Sequence, residues 1–157
     1  MAAFEPRDGN WRARVEDSFA RQAFMEHIGA RLTHLAPGEV DIEATYDSTL
    51  TQQHGFFHAG VTTTIADSAA GYAAYSLFEE GSSVLTTELK INLLAPAMGD
   101  RLVARGRVIK PGRTLTICRG DVYGITDGRE RHVATALFTM MQMAGMSDDG
   151  RAGEGRR

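Results

Sequence analysis

A proline-free run of small and apolar residues at 61–78, entered through a loop of glycines and histidines, limits how this chain can fold. Wound at about 100° per residue, Val61, Thr62, Ile65, Ala66, Ala69, Ala70, Tyr72, Ala73 and Leu77 share roughly half of a helix circumference. The four alanines in that arc would let a sheet come close, so this half is the expected core face. Asp67 points the other way, among Thr63, Gly71, Ala74 and Phe78, a face too apolar to be fully wet. An acid in such surroundings needs a reason.

The loop before the run, residues 52–60, reads Gln-Gln-His-Gly-Phe-Phe-His-Ala-Gly. Taken singly, His54 and His58 are ordinary loop residues and Asp67 an ordinary surface or interface carboxylate. Together they suggest more. A helix start presents unpaired backbone N–H groups that favour negative charge, and here it falls at His58, Ala59 and Gly60, with Gly60 expected to let a ligand near the backbone. Donors fixed where charge develops form an oxyanion site. Gly60 and Asp67 are seven residues apart, about 10 Å along a helix at ~1.5 Å per residue. One carbonyl cannot meet both, because reacting groups must lie within about 3–3.5 Å of each other. If both act, the acid comes from a second, antiparallel copy of the helix, in a two-fold dimer with composite sites.

The rest of the chain supports an α+β domain. Trp11, Val15, Phe19 and Ala23, with Phe24 and Ile28, recur at three to four residues and predict one amphipathic helix over 10–27, capped by Asp8 or Asn10 and lying over a sheet edge or the mouth of a pocket. Pro37-Gly38 joins two strands at 30–35 and 39–46, the second alternating Val40, Ile42, Ala44 and Tyr46 with polar residues. After the central helix, Leu85, Thr87, Leu89, Ile91 and Leu93 fit one face of a strand. Three more strands are predicted at 101–110, 113–125 and 131–143, with Gly120 read as a bulge. Two strands, a long helix and four strands leave too few helices for parallel crossovers.

The run of Arg101, Arg105, Arg107, Lys110, Arg113 and Arg119 reads either as the solvated side of a sheet or as an anchor for phosphates. A net charge of −3 gives no support for nucleic-acid binding. His and the single Cys118 are too dispersed for a zinc site, and no stretch approaches the ~20 apolar residues of a membrane span. Glu5, Arg7 and Asp8 stand where a leader peptide would be apolar, so a cytoplasmic location is expected. The division expected is a helical segment at 1–28, one domain at 29–145 and a disordered tail at 146–157.

The 52–60 run with Asp67, the segment from Thr86 through Asn92 to Pro96, and Gly112-Arg113-Thr114 together resemble the hot-dog-fold acyl-CoA thioesterases of the phenylacetic acid degradation (PaaI-like) type, over roughly residues 29–143. The resemblance implies a long helix wrapped by an antiparallel sheet of about six strands, in paired subunits that often double to tetramers. It implies that amides following His58, those of Ala59 and Gly60, polarise a thioester carbonyl. Asp67 of the partner would be general base or nucleophile. Gln52 stands where relatives often carry Asn to orient water or the thioester, and Thr86 matches a hydroxyl near the same site. Arg113 would meet the coenzyme A phosphates, with Arg107 and Lys110 as further candidates. Ala59 replaces the first glycine of the usual His-Gly-Gly. Coenzyme A belongs to the substrate, so no cofactor or metal is expected. A noncatalytic acyl-CoA sensor and a hydratase or dehydratase on the same fold are the competing readings.

Overall fold

A computed structural model describes residues 4–146; the expected tail lies, apart from Met146, outside the described residues. Six antiparallel strands form one sheet: β1 Ala30–Ala36, β2 Glu39–Thr45, β3 Ser82–Leu93, β4 Arg101–Lys110, β5 Leu115–Thr126 and β6 Arg129–Ala144. Their order is β1-β2-β4-β5-β6-β3, so the meander β4-β5-β6 sits in the centre and β3 lies at an edge. The helix α3, Ala59–Tyr75, crosses one face of this sheet against β2, β4 and β5, and also touches β3 and β6.

Close approach of helix and sheet depends on missing side chains on both. Ala66, Ala69, Ala70 and Ala73 are fully buried on the helix. Opposite them, Gly106 of β4 stands in register with Gly120 of β5. A Cβ built on Gly106 would lie 2.3 Å from the Ala69 carbonyl carbon and oxygen; one on Gly120 would lie 2.9 Å from the Phe138 ring and 3.3 Å from the Ala66 carbonyl. Gly120 is therefore not a bulge. The register shifts fall instead between Leu32 and His34, between Thr86 and Glu88, between Val108 and Lys110, and between Val122 and Tyr123. A single methyl at position 106 would have to lift backbone. Gly106→Ala should cost about 2–3 kcal/mol as overpacking, lowering Tm by roughly 5–10 °C at ~2–4 °C per kcal/mol for a chain of this size, measurable by thermal unfolding.

The bulge at Thr87 also corrects the predicted face of β3. Thr86 pairs with Met140, but beyond the bulge Leu89 pairs with Phe138 and Leu93 with Ala134. An extra residue shifts the alternation by one, so Leu85 shares a face with Met141 while Thr86, Leu89, Ile91 and Leu93 share the helix side. Leu89 and Leu93 remain 43% and 55% exposed in the single chain.

The N-terminal segment forms two helices where one was expected, α1 Trp11–Ala20 and α2 Ala23–His27. The backbone turns extended at Gln22 (φ −80°, ψ 90°), whose carbonyl then accepts the N–H groups of Met25 and Glu26. The period restarts there, so Phe24 faces solvent while Met25 and Ile28 are buried. Of the two expected caps, Asn10 holds the cap position without a side-chain bond, and Asp8 accepts the Asn10 N–H at 2.8 Å. Asp8 also pairs at 2.9 Å with Arg14.

Arg14 explains why α3 stops at Tyr75 and does not run to Phe78 as expected. Its guanidinium donates to the carbonyls of Tyr75, Phe78 and Glu79 at 3.3, 2.8 and 2.8 Å, and lies over the Tyr75 ring. These are the unpaired carbonyls that a helix end leaves, met here by a cation at the negative pole of the helix. The Leu77 and Phe78 N–H groups bond three residues back, tightening the chain into a turn. Ala74 and Phe78, expected on the half-wet face with Asp67, are fully buried.

Candidate active site

Two hollows flank α3: Gln52 and Ala59 line one, Asp67 and Thr86 the other. The loop before the helix is held on both sides: Phe57 N–H donates to the Ala97 carbonyl at 3.0 Å and His58 N–H to that of Leu50 at 2.9 Å. A tight turn closes through Gly55 N–H and the Gln52 carbonyl at 2.9 Å, with Gly55 at φ +80°, a conformation glycine adopts without strain. The Gln52 side-chain oxygen also accepts the His54 N–H.

His58 is the cap of α3, and its imidazole Nδ1 accepts the Gly60 N–H at 2.8 Å. The bond requires the tautomer with its proton on Nε2. It also revises the expected role of Gly60: its amide is taken, and a Cβ there would lie 2.9 Å from Nδ1, so the glycine makes room for the imidazole rather than for a ligand. The Val61 and Thr62 amides turn back to the His58 carbonyl. In this first turn the Ala59 N–H alone has no hydrogen bond among the described residues. Ala59 borders a hollow of about 530 Å³ with Gln52, Phe56, Leu93, Leu94 and Pro96.

Asp67 and Thr86 lie in the other hollow, about 240 Å³, whose wall includes Ser18, Gln22, Ser68 and Tyr72. Thr86 Oγ1 donates to Asp67 Oδ1 at 2.8 Å. Burial raises the Asp67 pKa above its ordinary value, and the Thr86 bond pulls in the opposite direction. Within one chain, therefore, the free amide and the carboxylate open into separate hollows.

Of the three phosphate candidates, Arg107 is already engaged. Its guanidinium lies 2.6 Å from Asp41 and 3.5 Å from Glu39, and donates to the Val40 and Gly106 carbonyls. Arg101 and Arg105 likewise pair across strands with Glu43 and Glu130, and Arg119 pairs with Asp121 on its own strand, so most of the basic run is held in ion pairs. Arg113 is exposed on the turn between β4 and β5, beside a third hollow of about 460 Å³ where Arg7 holds Glu79 and the Gly112 carbonyl. Lys110 is exposed at the end of β4. Cys118 is buried and its thiol pushed up to about 12, which removes it as a thiolate nucleophile. Among the described residues no group of His, Cys, Asp and Glu could hold a metal ion, and no helix is long and apolar enough to cross a membrane.

A long helix in a six-stranded antiparallel wrap is the hot-dog fold, and the thioesterases and esterases among its relatives make the chain a thioester hydrolase. Residues 54–130 match the family described as the thioesterase superfamily. A solved thioesterase family protein from Silicibacter pomeroyi is 51% identical, covering 86% of this chain and 99% of its own, with a TM-score of 0.85. The chain belongs to the thioesterase superfamily. Human acyl-coenzyme A thioesterase 13 is 28% identical over 62% of this chain and 70% of its own length. The PaaI protein of the phenylacetic acid degradation operon of E. coli shares the fold at a TM-score of 0.77 and 19% identity, covering 87% of this chain and 96% of its own.

Proposed function

We infer that the chain hydrolyses acyl-CoA thioesters, aryl or medium- to long-chain, to free acid and coenzyme A at sites shared between two copies. The observation that carries this reading is the division of the Ala59 amide and the Asp67 carboxylate between two hollows of one chain. A two-fold pairing along the exposed β3 edge would bring the amide of one copy to the acid of the other. Strand β3 has an open row of backbone groups and exposed Leu85, Leu89 and Leu93, the kind of edge that invites pairing. The Ala59 N–H would hold the tetrahedral oxyanion, Asp67 of the partner would take the proton of the attacking water or itself attack, and Thr86 would hold that carboxylate in place. Gln52 borders the amide hollow and would orient the ester. Arg113 and Lys110 are the cations left to meet phosphates. The human relative's name, an acyl-coenzyme A thioesterase, supports the substrate class.

Thiol release from a panel of acyl-CoA esters tests the reading. Hydrolysis frees coenzyme A thiol; a sensor would bind the esters and release none, and a hydratase would change the acyl group with the thioester intact. A second readout concerns pH. If Asp67 acts as the ionised base, activity rises with pH through its pKa, so the acid limb of kcat/KM should lie above that of an ordinary aspartate. Thr86→Val removes the bond that favours the ionised form. The limb should then move to still higher pH; a limb unmoved or shifted downward would remove Thr86 from the site.

A further inference from the structure

The Thr86 hydroxyl has two partners and a single hydrogen to give. Its oxygen stands 2.8 Å from Asp67 Oδ1 and 3.4 Å from the sulfur of Met140. Met140 lies directly across from Thr86 on β6, in the last pair before the register shift, and is fully buried. Its methyl end lies against α3: a Cβ on Gly71, one helical turn after Asp67, would touch Met140 Cε at 4.0 Å. The thioether is thus fixed between the Thr86 hydroxyl and the helix that carries the acid. A carboxylate and a thioether can only accept, so both compete for the one hydrogen. Charge decides between them, because a hydrogen bond to an ionised group is roughly twice as strong as a neutral one. Once Asp67 carries a proton, it can itself donate to Thr86 Oγ1, and the Thr86 hydrogen is released to the sulfur.

Resting on the thioesterase reading with Asp67 as general base, we propose that Met140 is a positioning residue for hydrolysis: its sulfur is the second acceptor of the Thr86 hydroxyl, taken up while Asp67 holds the proton of the attacking water. The steps balance within the site. Water loses a proton to Asp67 as its oxygen bonds the thioester carbon, and the carbonyl electron pair moves onto the oxyanion. The Thr86 hydrogen turns from the carboxyl to the sulfur without leaving its own oxygen, and Asp67 donates to that oxygen in its place. Collapse of the oxyanion breaks the C–S bond, Asp67 passes its proton to the departing thiolate, and Thr86 turns back. The sulfur thus supports the protonated acid between the two halves of the reaction. Besides Asp67, the Tyr72 phenol is the only titratable group lining this hollow among the described residues; α1, the break after it and β3 contribute uncharged side chains there. A second copy would add His58, whose Nδ1 is taken by the Gly60 N–H.

The test is a pH titration of Asp67 by carbon NMR of labelled aspartate carboxyls, its signal assigned by its loss in Asp67→Asn, alongside the acid limb of kcat/KM. Met140→Leu conserves volume, a swap that cores tolerate, and removes the acceptor. The protonated acid then loses support, so the Asp67 pKa should fall by about half a pH unit, roughly threefold in proton affinity, as fits a weak acceptor. The acid limb should follow it downward. Met140→Ile, whose branched side chain suits a strand, should give the same shift and serves if leucine disturbs the fold. In the Thr86→Val background no hydroxyl remains to turn, and either substitution should leave the pKa unchanged; a merely structural effect of residue 140 would persist there. A pKa unmoved or raised by both substitutions, or a fall that survives Thr86→Val, would overturn the proposal. Failure of the underlying reading looks different: the Asp67 signal shifts with residue 140 and needs Thr86, yet no ester releases thiol or the rate ignores the shift. That result keeps the hydrogen-bond exchange and ends its place in hydrolysis.

Discussion

Asp67→Asn should abolish nearly all thiol release while leaving the fold intact or slightly more stable. A positioned general base contributes about 10²–10⁴ in rate, so kcat should fall by at least about 100-fold. Asparagine keeps the shape and can still accept the Thr86 hydroxyl, now 2.8 Å from the carboxylate. Stability should move the other way. Burial raises the Asp67 pKa in the folded chain, so the folded state holds this proton more tightly than the unfolded state. That contribution favours the fold below the unfolded pKa and is lost as pH rises through the raised one. At neutral pH the buried charge is a cost that asparagine removes. Thermal unfolding beside the thiol assay checks both halves, and an Asn variant with wild-type kcat would dismiss Asp67 from catalysis.

The second large effect concerns the Ala59 amide. Proline is tolerated at the first position of a helix, where its missing N–H would have had no partner inside the helix. Ala59 holds that position, and the preceding His58 sits at φ −62°, ψ 141°, a conformation proline allows before it. Ala59→Pro should therefore leave α3 in place and delete one donor. Loss of an oxyanion donor costs about 10²–10³ in kcat. Mixing makes the result sharper. When Ala59→Pro and Asp67→Asn chains are unfolded and refolded together in equal amounts, half of the dimers carry one of each. A site shared between subunits is then whole at one of two positions in those dimers, so about a quarter of wild-type activity should return. A site built within one subunit would give none.

Much of the frame was readable in the residues, for local reasons. The 61–78 run announced its helix by period, and the alternation of Val40, Ile42 and Ala44 announced a strand. What escaped depended on contacts between distant parts of the chain. The helix end at Tyr75 is set by Arg14, sixty-one residues earlier in sequence. The bulge at Thr87 has no glycine to mark it, yet it decides which leucines of β3 face the helix. Gly120 was noticeable as an oddity, but its partner in register, Gly106, and the Ala66 carbonyl above it were not.

The site divides along the same line. Asp67, Ala59 and His58 stood out because they lie within one short stretch around a helix start. That His58 would claim the Gly60 amide depends on a rotamer, which spacing does not encode. Gln22 and Ser18 carried no local signal; only the docking of α1 and α2 on the body puts them near Asp67. Arg107 stood out by charge, yet Asp41 and Glu39, on the neighbouring strand, neutralise it.

The bare glycines of the sheet centre also act as a spacer that sets the altitude of the carboxylate. With Gly106 and Gly120 offering nothing to stand on, α3 settles to the depth at which Asp67 meets a hydroxyl on the outermost strand. A methyl group beneath Ala69 would work like a jack, raising the helix and with it the acid. Substitutions there would thus disturb the proton affinity of Asp67 from a distance, joining the tolerances of folding and of that carboxylate through two hydrogen atoms.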